Sequence, residues 1–223
     1  MPPLIQIQKR PPQLSPAAAE RLQQLASARA ASGGVERCEF CGSGIDEEHG
    51  HIVDLPRRAL LCVCRPCYLL FTHDGAGGAR FRAVPTRFAL VPQFTDSRDL
   101  WDVLDLPIGL AFFFRNSATG RTTAFYPSPA GATESELPLD AWEAVTHAVP
   151  LLSTLVADVE ALLVRRTTSG TTALIVPIDV CYELVGVIRV VWRGLQGGDE
   201  LWPRVDEFLD RALERAHAGA GVP

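Results

Sequence analysis

The chain has 223 residues, of which 47% are hydrophobic, and 26 acidic against 21 basic side chains leave a formal net charge of -5. That size admits one substantial core or a core plus a small satellite, and the acidic balance argues against a protein whose main partner is a phosphate backbone. No stretch reaches the roughly 18 uninterrupted apolar residues of a membrane span. Met1 to Arg10, with Pro2, Pro3, Gln6, Gln8 and Lys9, lacks the apolar run of a signal peptide. A cytoplasmic location is therefore expected, where thiols stay reduced and clustered cysteines serve metals or catalysis more often than disulfides.

In chain order, residues 1–34 read as a tail and a helix. Ser15-Pro16-Ala17-Ala18 forms an N-cap with proline at the first helical position, Ala18, Leu22, Leu25 and Ala26 make an apolar stripe, and Gly33-Gly34 stops the helix. Residues 35–84 carry the cysteines together with short strand-like runs, His51-Ile52-Val53 and Arg58-Ala59-Leu60-Leu61. Fifty residues with so few apolar anchors need a staple, and a structural metal is the usual one.

Residues 85–218 alternate strand and helix signals, and 219–223 form a C-terminal tail. Expected strands are Phe88 to Val91, Ile108 to Arg115, Thr122 to Tyr126, Ala161 to Arg165, Ala173 to Val176 and Val187 to Trp192, several of them rich in β-branched or aromatic residues. Expected helices are Ser97 to Leu104, Asp140 to Val156 with a break at Pro150, and Asp199 to Ala216. Asn116-Ser117-Ala118-Thr119-Gly120 and Thr168-Ser169-Gly170 each join two strand signals over a short span, as antiparallel hairpins do. The fold class is thus α+β: a small zinc-ribbon or treble-clef-like module, and a larger domain with a mainly antiparallel sheet and helices on one face.

Five of the six cysteines fall within 30 residues. Cys38-Glu39-Phe40-Cys41-Gly42 is a turn whose two intervening residues let both thiolates reach one ion, with Gly42 permitting the return of the chain. Cys64-Arg65-Pro66-Cys67 supplies a second pair after a gap of 22 residues. Two such pairs are the donor set of a tetrahedral site, so Cys38, Cys41, Cys64 and Cys67 are the expected metal ligands, with zinc as the metal and iron as the alternative. Cys62-Val63-Cys64 puts two thiols on one face of a strand. The two-residue spacer favours Cys64, leaving Cys62 as a small hydrophobe or an outer thiol, with a swap of the two as the alternative. His49 and His51, near Asp46, Glu47, Glu48 and Asp54, leave open a mixed site or a second, weaker one.

Elsewhere, Arg115, Asn116, Ser117, Tyr126, Ser128 and Glu134 gather around one hairpin and the loop after it, suiting a small anion or a peptide; turn chemistry accounts for the same residues. Cys181 stands alone among apolar neighbours and reads as buried filler, with Asp179 as cap of a short helix from Val180 to Leu184. Arg57, Arg58, Arg65, Arg80 and Arg82 place local positive charge around the cysteines, yet nucleic acid is not the expected partner. No Gly-x-Ser-x-Gly elbow, phosphate loop or His-Glu-x-x-His motif is present.

Three stretches resemble an actinobacterial family of unknown function associated with gene clusters of nickel-iron uptake hydrogenases. They are Cys38-Glu39-Phe40-Cys41 through Leu61-Cys62-Val63-Cys64-Arg65-Pro66-Cys67-Tyr68, then Pro107-Ile108-Gly109-Leu110-Ala111-Phe112-Phe113-Phe114-Arg115-Asn116, then Asp179-Val180-Cys181-Tyr182-Glu183-Leu184-Val185-Gly186. The resemblance implies an accessory or assembly role near a metalloenzyme, by association rather than mechanism. The expected function is a zinc-binding, non-enzymatic accessory protein that contacts a hydrogenase subunit or maturation factor. The alternatives are a rubredoxin-like iron electron carrier and an enzyme with a site near Arg115, Asn116 and Glu134.

Overall fold

The computed structural model describes residues 36–73, 75–94, 109–128, 131–136, 139–194 and 197–219. The expected helices over residues 15–33 and 97–104 lie outside them. Within them the chain builds two antiparallel sheets, one of three strands in the order β2-β1-β3 and one of six in the order β4-β9-β8-β5-β6-β7.

The small sheet consists of β1 (Gly50–Asp54), β2 (Ala59–Val63) and β3 (Phe81–Ala83), with helix α1 (Arg65–Leu69) directly after β2. The strand-like runs read from the sequence are β1 and β2, paired so that Ile52 faces Leu61 and His51 faces Cys62. Because side chains alternate along a strand, β1 contributes to two cores. Ile52 is buried with Cys38, Ile45, Val63, Cys67 and Phe71, whereas Val53 joins the core beneath the large sheet, with Leu55 and Leu60 packed against it. Phe40, Phe71 and Phe81 close the outer end of this small core, with ring centroids 5.1 to 5.4 Å apart.

The large sheet consists of β4 (Ala89–Leu90), β5 (Leu110–Arg115), β6 (Thr122–Ser128), β7 (Gly131–Glu136), β8 (Glu160–Thr167) and β9 (Gly170–Pro177). Its central strands read as continuous apolar runs because both faces are covered. Leu110, Phe112, Leu163 and Leu174 face helices α3 (Ile178–Val191) and α4 (Leu201–Gly219), while Phe113, Leu162, Val164 and Ile175 face helix α2 (Leu139–Ala148) and the turn of 3-10 helix Pro150–Thr154 that follows it. The two long helices share one face. The shorter α2 covers the other, through Trp142 and Val145, so the sheet has helical cover on both sides. Both expected hairpins are present, joining β5 to β6 and β8 to β9.

Two elements differ from the sequence reading. Val187 to Trp192 is not a strand: α3 continues to Val191. Ile178, Cys181, Leu184 and Ile188 are buried at helical spacing, and burying that stripe on the sheet outweighs the β propensity of Val187, Val190 and Val191. Asp179 is accordingly not the N-cap, which is Pro177, but lies in the first turn, its Oδ1 accepting the Val180 amide at 2.9 Å. The second difference is β7, a strand formed where the sequence reading placed only the loop after a hairpin; it pairs with β6 from Ser128↔Gly131 to Thr123↔Glu136.

Candidate metal centre

The first cysteine pair sits on a tight turn. Gly42 donates its amide to the Cys38 carbonyl at 2.8 Å and takes a φ of +79°, a conformation a side chain would strain. Cys38 N–H bonds to the Ser43 carbonyl, and an Arg37–Gly44 bridge closes the loop. Glu39 anchors this turn to β2 at both ends: its amide donates to the Cys62 carbonyl at 2.9 Å and its Oε2 accepts the Cys62 amide at 2.7 Å. The reading of the sequence missed this role, for which an exposed glutamate between two cysteines offers no signal.

The second pair comes from the start of α1. Cys64 is the N-cap, a proline stands at the opening of the helix, and Cys67 is buried one turn on. Cysteine turn, hairpin and helix thus follow in treble-clef order. All four sulfurs lie within 4.8 Å of one another, with Cys41 Sγ and Cys64 Sγ 3.6 Å apart. Four thiolates at bonds of about 2.3 Å around a tetrahedral ion sit about 3.8 Å from each other, so the cluster fits a metal ion of that size and preference.

The thiols differ in environment. For Cys38, burial opposes ionisation, but backbone N–H groups of Cys64, Cys41 and Phe40 aimed at its sulfur more than offset it and bring the thiol down to about 6. Cys41, exposed at the rim, is also lowered, chiefly by the Ser43 hydroxyl at 2.7 Å. Cys67 is pushed well above the ordinary thiol range by burial and by its three cysteine neighbours. A crowded set of thiols, one of them far more acidic than another, is what a cation relieves by accepting all four sulfurs as thiolates.

Cys62 is not part of that cluster. It groups instead with His49 and His51, one ligand atom from each lying within 4.8 Å of the others. Burial and the carboxylates of Glu36 and Glu39 push its thiol up to about 11.

The remaining candidates divide. Asn116 and Glu134 line a cavity of about 490 Å³ over an aromatic floor, in which Phe112 and Phe114 stack on Phe125 at 5.1 and 5.4 Å. Arg115 is not in its lining; Arg58 and Arg121 bring the positive charge instead. Ser117 lines a neighbouring cavity of about 320 Å³ under the small sheet. Cys181 is fully buried, its thiol raised by burial and by Asp179, as an inert core thiol would be. Around the cysteines, Arg80 pairs with Asp54 at 2.7 Å, Arg57 with the same carboxylate at 3.8 Å, and Arg82 with Asp158 at 3.6 Å and the Ala157 carbonyl at 2.9 Å. Much of that local charge is neutralised within the molecule. No helix among the described residues is long and apolar enough to cross a membrane.

No curated protein and no solved structure matches the chain. A family model matches residues 37–216, a span that begins beside the first cysteine and ends inside α4. The chain belongs to DUF5947, a family of unknown function.

Proposed function

We propose that Cys38, Cys41, Cys64 and Cys67 hold one zinc ion and that the protein is a non-enzymatic accessory or assembly factor, acting in the cytoplasm through contact with a protein partner. The observation that carries this reading is the closed four-thiol cluster. Zinc bound by four thiolates keeps no position for water or substrate, so its work is to fold the small sheet and present what surrounds it. Apolar side chains lie beside it in the chain: Phe40 between the first two cysteines, and Leu69 and Leu70 after the last, are 45%, 48% and 61% exposed. Such groups suit a protein contact. The resemblance to a hydrogenase-associated family directs the search to a nickel-iron hydrogenase subunit or maturation factor, as association alone.

Metal analysis of protein purified without chelator is the first test. Tightly held zinc in a colourless sample is the expected result, and a red protein with iron charge-transfer bands would replace this reading with electron transfer. For the partner, the tagged chain is expected to co-purify with an identified hydrogenase component, and aspartate at Phe40 and Leu70 to abolish that recovery. Consistent failure of the native chain to recover any such component removes the partner assignment.

The cavity bearing Asn116 and Glu134 favours a second reading, an enzyme or small-ligand site beside a purely structural zinc. Alanine at both residues with no loss of a partner-dependent phenotype counts against it.

A further inference from the structure

The alternation that sends Ile52 into the cysteine core sends His51 to the other face of β1, toward α3, and His49 two residues earlier shares that face. The two imidazoles stand edge to face with centroids 4.8 Å apart. Cys62 is the cross-strand partner of His51, and directly opposed residues of an antiparallel pair point to the same side. The ligand atoms of all three lie within 4.8 Å of one another, each residue being partly open to solvent.

What separates this trio from a chance grouping is the way both rings are held. His49 Nδ1 lies 2.8 Å from the Asp46 carbonyl, and His51 Nδ1 lies 2.8 Å from Asp179 Oδ2. Carbonyl and carboxylate oxygens accept only, so each Nδ1 is the donor, and in the neutral ring each Nε2 then presents a lone pair. His49 Nε2 is buried with no hydrogen-bond partner among the described residues, an arrangement that buried polar atoms normally avoid. Metal-bound histidines are held in this way, one nitrogen on the ion and the other fixed by a carbonyl or carboxylate.

We infer that His49 Nε2, His51 Nε2 and Cys62 Sγ form a second metal site, distinct from the four-cysteine cluster, that takes a borderline divalent ion such as zinc. Two imidazoles and one thiolate suit that class of ion and leave a fourth position for water or another exogenous donor. Asp179 comes from α3, so a residue of the helix beneath the large sheet orients a ligand carried by the small one. Asp179 is here a positioning residue. The carboxylates of Glu36 and Glu39 lie close enough to Cys62 to add a negative field.

The test uses the full chain, stripped of metal under reducing conditions and titrated with cobalt(II), alongside zinc analysis of each variant. The native chain is expected to take two equivalents. The His49→Ala/His51→Ala variant is expected to take one, with the four-thiolate absorption unchanged. Asp179→Asn should retain both equivalents but hold the second about 10–100-fold more weakly, an effect that loss of packing alone would not confine to one equivalent. A native chain that takes only one equivalent, still taken by the double histidine variant, overturns the inference. So does a double variant that retains two. If Cys62→Ala does not fold, the histidine variants carry the decision without it. A native chain that takes one equivalent, lost in the double histidine variant, leaves this site standing even where the four-cysteine reading fails.

Discussion

The six-stranded sheet closes over two apolar layers: Leu110, Leu163 and Leu174 are fully buried on one face, and Phe113, Leu162 and Ile175 on the other. The three-stranded sheet gathers Cys38, Ile45, Ile52, Val63, Cys67 and Phe71, two of them thiols of the candidate centre. Full burial of a large aliphatic or aromatic side chain stabilises by about 1.5–3 kcal/mol, while ordering each residue costs about 1–2 kcal/mol of backbone entropy. By that comparison the large sheet stands on burial, and the small one needs its ligands. On the proposed reading, a metal ion is a structural member of the small sheet and not of the large one.

Removing the metal is the most severe way to break the comparison. Structural zinc in small modules contributes about 10–16 kcal/mol of apparent binding free energy, so chelation or Cys67→Ser is expected to open the small sheet almost completely. Hydrogen exchange should show the amides of β1 and β2 losing protection while those of β8 and β9 keep theirs. Simultaneous loss in both sheets would mean that the two are one cooperative unit. The converse experiment is Phe113→Ala, which empties a fully buried position against Trp142. Denaturant unfolding of the large sheet should register a loss of about 3–5 kcal/mol, with the metal content of the folded protein unchanged.

The parts legible in the sequence were those whose physics is local. Two cysteine pairs announce themselves because a chelating turn needs only its own few residues. The strands β5, β8 and β9 show as apolar runs, and Pro150 marks the end of α2 because it cannot donate the bond a helix requires there. Long-range choices were hidden. Val187, Val190 and Val191 carry strand propensity, and only the burial of Leu184 and Ile188 against the sheet turns that segment into helix. The second face of the sheet, covered by α2, follows from topology rather than periodicity. His49, His51 and Cys62 were visible as metal-ligating residue types, but the pairing of His51 with Asp179, 128 positions away, was not.

A smaller effect sharpens the claim that the large sheet manages its own polar groups. Glu160 is 1% exposed, yet it takes Arg87 at 2.7 and 2.9 Å and the Val156 amide at 2.8 Å. Glu160→Gln keeps the shape but removes the charge behind those bonds, and about 2–3 kcal/mol of stability should go with it. Thermal unfolding monitored on metal-replete protein is the measurement, and no change in metal affinity is expected.

The gentlest perturbation belongs to the small sheet and probes how its two faces communicate. Gly50 lies in β1 between His49 and His51, and a Cβ there would meet the Tyr68 side chain at 2.7 to 2.9 Å, its own Cβ included. Rotating the ring away does not relieve a contact with the Cβ, so strand or helix must move. Tyr68 follows Cys67 in α1 and is tied at its far end by a hydroxyl bond to the Val84 carbonyl at 2.9 Å, so displacement of α1 carries a ligand of the four-cysteine cluster with it. Gly50→Ala is therefore expected to cost about 1–2 kcal/mol in the small sheet and to weaken metal binding at the cysteines, while the large sheet unfolds as before. Chelator competition measures the first effect and denaturant unfolding the second. An unchanged metal affinity would mean that α1 yields without moving Cys67, and that the cysteine cluster is softer than the ligation argument requires.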